Sequence, residues 1–305
     1  MNYKRIFKTR SARAKILRML SVIPDKSMLK IQYRIKFGRK LNLKDPKRYT
    51  EKVQWYKLNY RNPLMVQCVD KYDVREYVVS KDLESILIPC YGVYESVSGI
   101  SWNDLPDSFV MKDTLGGGGN KVAIVRNKAD ADIAALKKSA DSWTSGKIHK
   151  NVGGREWPYY SGKNHRIIFE QLLVDEDHVE DGVNDYKIYC FNGEPFCINV
   201  DYARFGDHKR NYYDTGWHRM DVESNYPKCD YDFEPPVNLD KMLDAARALS
   251  SDFPFVRVDL YNIKGKIFFS ELTFFPASGY MWYRPDSFDY TLGEMFPLED
   301  YKVKS

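Results

Sequence analysis

Apolar residues recur along this chain at two spacings, and each spacing marks a kind of element. Residues 70–81 (DKYDVREYVVSK), 129–143 (ADADIAALKKSADSW) and 238–253 (NLDKMLDAARALSSDF) repeat their apolar positions every three to four residues, which predicts helices. Residues 26–60 share that period and are broken at Pro46, with Thr50 expected to cap a helix carrying Val53, Trp55, Tyr56 and Leu58. Runs at 86–96, 109–112 (FVMK), 122–125 (VAIV) and 165–173 (HRIIFEQLL) are short, rich in strand-forming residues and bounded by Gly, Pro or Asp, so they predict strands. Two longer segments read as hairpins: 185–204, turned at Asn192-Gly193, and 255–275. The sum is an α+β chain, mixed sheets with helices in at least two lobes.

The second hairpin carries chemistry. Its first strand alternates Arg257, Asp259 and Tyr261 on one face, and its second strand alternates Phe269, Glu271 and Thr273. Pairing Asn262 with Lys266 would merge the two faces into a cluster of hard oxygen donors beside a fixed cation, the kind of site that holds Mg²⁺ shared with phosphate. A solvated face of an amphipathic hairpin is the other reading of the same residues. The stretch FVMKDTLGGGGNKVAIV (109–125) sets four glycines between two strands, with Lys112 before them and Lys121 after. A turn without Cβ atoms lets backbone N–H groups approach phosphate oxygens, though a loose hairpin would need no ligand. The spacing is neither GxxxxGK[ST] nor GxGxxG before a helix.

Charge changes the picture at one end only. The chain of 305 residues has net charge +5, but residues 1–40 carry 13 Lys/Arg against one acid, Asp25, while the remainder carries 34 basic and 41 acidic residues. KRIFKTRSARAKILRML (4–20) interleaves Ile6, Phe7, Ile16, Leu17 and Leu20 with seven cations, which suits an anionic membrane face or a polyanion and equally a surface helix docked on the body. Nucleic acid is not expected as a partner, because the rest of the chain is acidic and carries no reader motif. Five scattered cysteines form no CxxC pair, which argues against zinc or a disulfide scaffold and for a reducing cytoplasm. No apolar run reaches the ~18 residues of a membrane span, and no apolar leader segment is expected.

The order of DK (70–71), FVMK with the glycine turn (109–119), IIFEQLL (167–173), DYKIYCFNGEP (185–195) and RVDL…FFSELTFFPASG (257–279) resembles the ATP-grasp fold. The phrases DPKRYTEKVQWYKL, VDKYDVREYV, GREWPY and DHKRNYYDTGW narrow the resemblance to its TupA-like branch, from bacterial polysaccharide gene clusters. That resemblance implies two α+β lobes gripping ATP. It divides the chain into a basic helical extension (1–60), an α/β segment (61–108), a lobe with the glycine turn (109–180) and a lobe with the metal-binding hairpin (181–305).

The resemblance also implies roles. Lys71 and Lys112 correspond to lysines aimed at nucleotide phosphates, and Gly116, Gly117, Gly118 and Gly119 to the loop that closes over them. Glu170 would take the adenine amino group, Gln171 and Leu173 the adenine edge through their backbone, and Asp177 the ribose. Asp259 and Glu271 correspond to the Mg²⁺ ligands, with Thr273 standing where the usual Glu-x-Asn motif has an amide. Arg257, Lys187, Lys209 and Arg210 would stabilise the transferred phosphoryl group and the tetrahedral adduct, and Ser278 and Gly279 would lie near a substrate carboxylate. The implied activity is ATP-dependent joining of a carboxylate to an amine through an acyl phosphate, with ATP and Mg²⁺ as cofactors.

Aromatic rings beside arginine in GREWPYY and GYMWYRP suit a sugar acid, so the expected substrates are a uronic acid of a capsule-type polysaccharide and an amino acid or amine. The basic arm would hold the enzyme at the inner face of the membrane. The alternative is a nucleotide-sugar glycosyltransferase, for which Asp230-Tyr231-Asp232 offers a DxD pair. His208 is the histidine singled out as a site candidate.

Overall fold

The computed structural model describes residues 20–117, 119, 121–145, 155–175, 182–202 and 208–298. The basic segment 4–20 falls almost wholly outside these residues, as do Gly118 and Asp177.

Among the described residues ten strands form two antiparallel sheets. The smaller contains β1 (Cys90–Tyr94), β2 (Phe109–Asp113), β3 (Val122–Val125) and β4 (Ile167–Glu170), in the order β1-β4-β2-β3. Its alternation sorts the side chains cleanly. Phe109, Met111, Val125, Ile167 and Phe169 pack on one face beneath α5 (Ile133–Thr144), whereas Val110, Lys112, Val122 and Ile124 turn toward the opposite side.

The larger sheet contains β5 (Asp185–Phe191), β6 (Glu194–Tyr202), β7 (Lys209–Asp214), β8 (Arg219–Met220), β9 (Phe255–Ile263) and β10 (Lys266–Thr273), in the order β10-β9-β5-β6-β7-β8. One face is covered by α6 (Leu239–Ser250), whose Met242, Leu243, Ala246 and Leu249 are buried in the same core as Ile188, Val256, Val258 and Leu260. On the other face Tyr189, Phe191 and Phe255 pack against Tyr49 and Phe296, and the rest of that face is polar.

Tyr49 begins α2 (Tyr49–Asn59), which follows α1 (Asp25–Phe37) and precedes the short α3 (Leu64–Cys68) and α4 (Val74–Ser80). Arg48, not Thr50, is the cap residue of α2. Glu51 accepts the N–H groups of Lys47 (3.1 Å) and Arg48 (3.3 Å), and Thr50 sits inside the first turn. Its N–H and Oγ1 donate to Asp289 at 2.9 and 2.8 Å. Asp289 lies on the last described helix, α7 (Ser287–Met295), so this buried carboxylate ties α2 to a segment 239 positions later in the chain.

Both long hairpins depart from simple alternation at one residue. In β9-β10 the turn pairs Ile263, not Asn262, with Lys266, and a bulge between Phe269 and Glu271 shifts the register. Phe269 lies opposite Leu260 in the core; past the extra residue Ser270, Glu271 lies opposite Asp259 and Thr273 opposite Arg257. The expected meeting of Asp259 with Glu271 therefore arises by a different route, and Phe269 leaves the polar face on which alternation had placed it. In β5-β6 a shift beyond Tyr189 sets Lys187 opposite Asn199 and Asp185 opposite Asp201. An unbroken ladder from the Asn192-Gly193 turn would have set those charges against Ile198 and Val200.

Candidate active site

The polar face of the large sheet and the face of the small sheet that carries Lys112 look at each other across a cleft of ≈ 940 Å³. Its walls follow from the registers. From the large sheet come Glu271 and Thr273 (β10), Arg257 and Tyr261 (β9), Asp185 and Lys187 (β5), Asp201 (β6) and Arg210 (β7). From the small sheet come Val110, Lys112, Val122 and Ile124, with Lys71 and Ile88 from the segments that precede it.

The cations are held by carboxylates that are themselves buried. Arg257 donates Nε and Nη2 to Asp259 at 2.7 and 2.6 Å, a bidentate pair in which both residues are nearly inaccessible. Lys187 contacts Asp185 and lies 3.4 Å from Asp259 and 3.6 Å from Asp201. Burial alone would lower the Lys187 ammonium, but these three carboxylates outweigh it and raise it. Arg210 grips Asp201 at 2.5 and 2.9 Å. Burial raises the Asp201 carboxyl, yet His208, Arg210 and Lys187 together push it below the ordinary range. His208 lines the cleft, stacked on Tyr226 with ring centroids 3.7 Å apart and its Nε2 3.3 Å from Asp201.

Glu271 is the more open of the two expected metal-binding carboxylates. Its side chain is 37% exposed against 2% for Asp259. Its oxygens lie 3.8 Å from both Lys71 and Arg257, and Oε1 accepts from Thr273 at 3.1 Å. Burial would raise its pKa, but Lys71, Arg257 and Lys187 bring it down to about 2. Among the described residues no three carboxylate, imidazole or thiol groups are assembled into a ready-made metal cage. The residues fit a hard cation brought in with phosphate: Glu271 offers lone pairs to the cleft, and Asp259 would add one if Arg257 released an oxygen.

At the other wall Lys112 donates to Glu170 at 2.7 Å, and Arg75 stands 3.7 Å from the second oxygen of that carboxylate. Desolvation pulls the Lys112 ammonium down, but Glu170 and then Tyr261 more than compensate and raise it. Gln171 spends its backbone N–H on Pro89 at 2.9 Å, while its side of the chain and Leu173 line the cleft. The glycine turn is pinned at its stem. Asp113 accepts from the Leu115 N–H (3.0 Å), His165 Nδ1 (2.8 Å) and Lys121 Nζ (2.5 Å). Lys71 donates to the Gly116 carbonyl at 2.5 Å. A Cβ at Gly116 would meet Lys121 Cβ at 3.0 Å, and Gly119 has φ +69°, whereas a Cβ at Gly117 would meet nothing within 4 Å. The turn is thus fixed at its base, while Gly117 has open space beside it.

Ser278 and Gly279 lie at the far end of the cleft, beyond β10. Ser278 lines it; Gly279, at φ +68°, is packed against Gln54 and Val53 of α2. Lys209 begins β7 next to Arg210. Arg155 does not face a substrate: it is buried and donates to the Leu20 and Ile23 carbonyls and to Asp25. Arg284 is exposed beside Glu223. The aromatic rings that line the cleft are Tyr159, Tyr160, Tyr226, Tyr261 and Phe275. Asp232 pairs with Arg219 at 2.8 Å, and neither it nor Asp230 is among the described residues lining the cleft, so the DxD pair is not part of this site.

Sequence reasoning passed over Asp185, Asp201, Asp113, His165, Glu156 and Lys57. A signal existed for the first two, since they flank the NG turn at near-equal distance, but their pairing needed the register shift. The others meet partners far along the chain, Asp113 with His165 at 52 positions, Glu156 with Ser278 at 122 and Lys57 with Ser278 at 221, beyond any local pattern.

The chain matches the family described as TupA-like ATPgrasp over residues 51–297. No curated protein matches it. Among solved structures it is similar to D-alanine–D-alanine ligase from Helicobacter pylori, with 14% identity over 85% of this chain and 68% of that one, at a TM-score of 0.45. It is similar also to that enzyme from Bacillus anthracis complexed with ATP, with 15% identity, 75% and 65% coverage and a TM-score of 0.45. A third is an ADP complex of N5-carboxyaminoimidazole ribonucleotide synthetase, with 12% identity, 74% and 50% coverage and a TM-score of 0.42. The chain spans about half to two thirds of the length of most of these structures.

Proposed function

The chain belongs to the TupA-like ATP-grasp family, and from that premise we propose that it is an ATP-dependent carboxylate–amine ligase that works through an acyl phosphate. The observation that carries the reading is the facing of two sheets across one cleft, with Lys71, Lys112, Lys187 and Arg257 around the open carboxylate of Glu271.

The division of labour follows from these positions. Val110, Ile124, Leu173 and Tyr261 make a largely apolar slot between the sheets that suits a flat adenine ring, with Glu170 beside it, oriented by Lys112. The turn Gly116–Gly119 and Lys71 receive the phosphates, and the pinned stem lets the tip close without losing register. Glu271, Thr273 and Asp259 would hold Mg²⁺, which supplies charge neutralisation for phosphoryl transfer when bound. Lys187 and Arg257 face the transferred phosphoryl group and then the carbonyl oxygen of the adduct, where a preorganised donor contributes ~3–4 kcal/mol. Burial against fixed carboxylates keeps both cations charged and immobile, which is what that role requires.

We infer a uronic acid of a cell-surface glycan as the carboxylate partner and an amino acid or amine as the nucleophile. The support is the family kinship and the tyrosines at the cleft; reduced cysteines throughout fit a cytoplasmic enzyme. No helix among the described residues is long and apolar enough to cross a membrane.

A thermal-shift panel with Mg²⁺ tests the reading. ATP and ADP should raise the melting temperature and UDP- and GDP-sugars should not. The reverse ranking would replace the ligase with a glycosyltransferase.

A further inference from the structure

The cleft continues past Glu271 to an end that phosphoryl transfer does not use. There Lys57 of α2, its side chain wholly buried, donates Nζ to the Ser278 carbonyl at 2.6 Å and to Ser278 Oγ at 2.8 Å. Gln54, nearly one turn earlier, donates to the carbonyls of Ser278 and Gly279, each at 3.1 Å. These grips hold Ala277 and Ser278 at φ 46° and 55°, a conformation that residues with a Cβ rarely adopt. A strained turn held from a separate helix fixes one atom above all, Ser278 Oγ. It donates to Glu156 Oε1 at 2.5 Å.

Glu156 is thereby aimed. Its Oε1 stands 3.8 Å from Lys57 Nζ, too far for a hydrogen bond, and among the described residues no donor reaches Oε2. Glu156, Ser278 and Tyr159 all line the cleft. Glu271 lines the same cleft, so Glu156 shares a wall with the reacting end; burial, then the charges of Glu156 and Glu271, drive the Tyr159 phenol well up.

We propose that Glu156 binds the cationic amine substrate through Oε2 and takes its proton, with Lys57 and Ser278 as the residues that position it. The inference rests on the ligase reading for its chemistry. An ammonium N–H passes its proton to Glu156 and frees the nitrogen lone pair, which forms the C–N bond to the acyl carbon. The C–O bond to phosphate breaks with its electron pair going to the phosphate. The nitrogen's surplus proton leaves on that phosphate, so the products are an amide and hydrogen phosphate, and Glu156 returns its proton to solvent.

The experiment compares Glu156→Gln, Glu156→Asp and wild type, all first shown to melt together and to bind MgATP. With D-glucuronic acid as the acid, ADP release is followed at neutral pH with ethanolamine, which is cationic, or hydroxylamine, which is neutral and needs no base. Glu156→Gln should lose about 100-fold or more with ethanolamine and stay within about twofold with hydroxylamine, since a positioned base contributes ~10²–10⁴. Glu156→Asp should recover part of the loss. Lys57→Met should raise the KM for ethanolamine without changing kcat for hydroxylamine. An equal loss with both nucleophiles, or none with either, would overturn the proposal. If the wild type releases no ADP with either nucleophile, the choice of acid in the ligase reading fails by itself. The site is then read by NMR titration of ethanolamine against its neutral isostere ethylene glycol. Shifts at Ser278 and Tyr159 caused by ethanolamine in wild type and lost in Glu156→Gln support the assignment; shifts equal in both proteins, or absent from wild type, reject it.

Discussion

Replacing Arg257 by Met should cost stability by an amount its surroundings fix. The guanidinium makes two hydrogen bonds to Asp259, at 2.7 and 2.6 Å, and both residues are buried. Removing one partner of such a pair leaves a buried charge uncompensated, which typically costs ~3–5 kcal/mol. Here Lys187 stays 3.4 Å from the same carboxylate, so the lower end applies, about 3 kcal/mol. For a chain of this size that is a fall in Tm of roughly 6–12 °C. The sign of the pH dependence follows from the same geometry. Burial already raises the Asp259 carboxyl in wild type against the pull of Arg257 and Lys187, and without Arg257 it is raised further, so the folded variant binds the extra proton more readily than wild type does. Its stability relative to wild type should therefore improve as pH falls from 7 toward 5. Urea unfolding of both proteins at the two pH values measures this, and Arg257→Met/Asp259→Leu should recover most of the loss. A variant that melts within about 1 °C of wild type at pH 7, on the ~2–4 °C per kcal/mol scale, would refute the reasoning, as would a gap that does not narrow on acidification.

Other expectations are more local. Glu271→Gln should abolish ADP release while leaving the fold intact, because its carboxylate is partly exposed and its nearest cations stand at 3.8 Å; unchanged turnover would remove it from the site. Lys112→Ala should weaken ATP binding by roughly tenfold or more, the scale of one charge-assisted hydrogen bond, as read by calorimetry. Gly293→Ala should destabilise by ~1–3 kcal/mol or more in urea, since a Cβ there would run into the Lys47 carbonyl at the start of α2. Lys57, lowered by burial to about 8, is neutral more readily in the folded than in the unfolded chain. Wild type should thus gain stability from this residue as pH rises from 8 toward 10, by up to about 3 kcal/mol, and Lys57→Met should lack that rise.

Much of this protein was legible in one dimension. Helix and strand periods, the Asn192-Gly193 turn and the run of lysines and carboxylates are local properties, and they pointed to an α+β chain and to the ATP-grasp family that residues 51–297 match. Thr50 shows where local reading stops: its pattern is that of a cap, but a carboxylate 239 positions away claims its donors and Glu51 serves the residues before it.

What the sequence determined by itself is the inventory, which side chains are present and the period at which each segment repeats them. The tertiary structure decided which of them meet. Ser270 and the shift in β5-β6 each displace the ladder by one residue, and because strand side chains alternate with period two, that single step moves every later residue to the opposite face. Those two steps set Glu271 against Asp259 and Asp185 against Asp201. Such a displacement costs and gains its free energy through packing on both faces of the sheet at once, Phe269 and Leu272 into the core and Glu271 and Thr273 into the cleft, a balance that exists only when the strands are assembled.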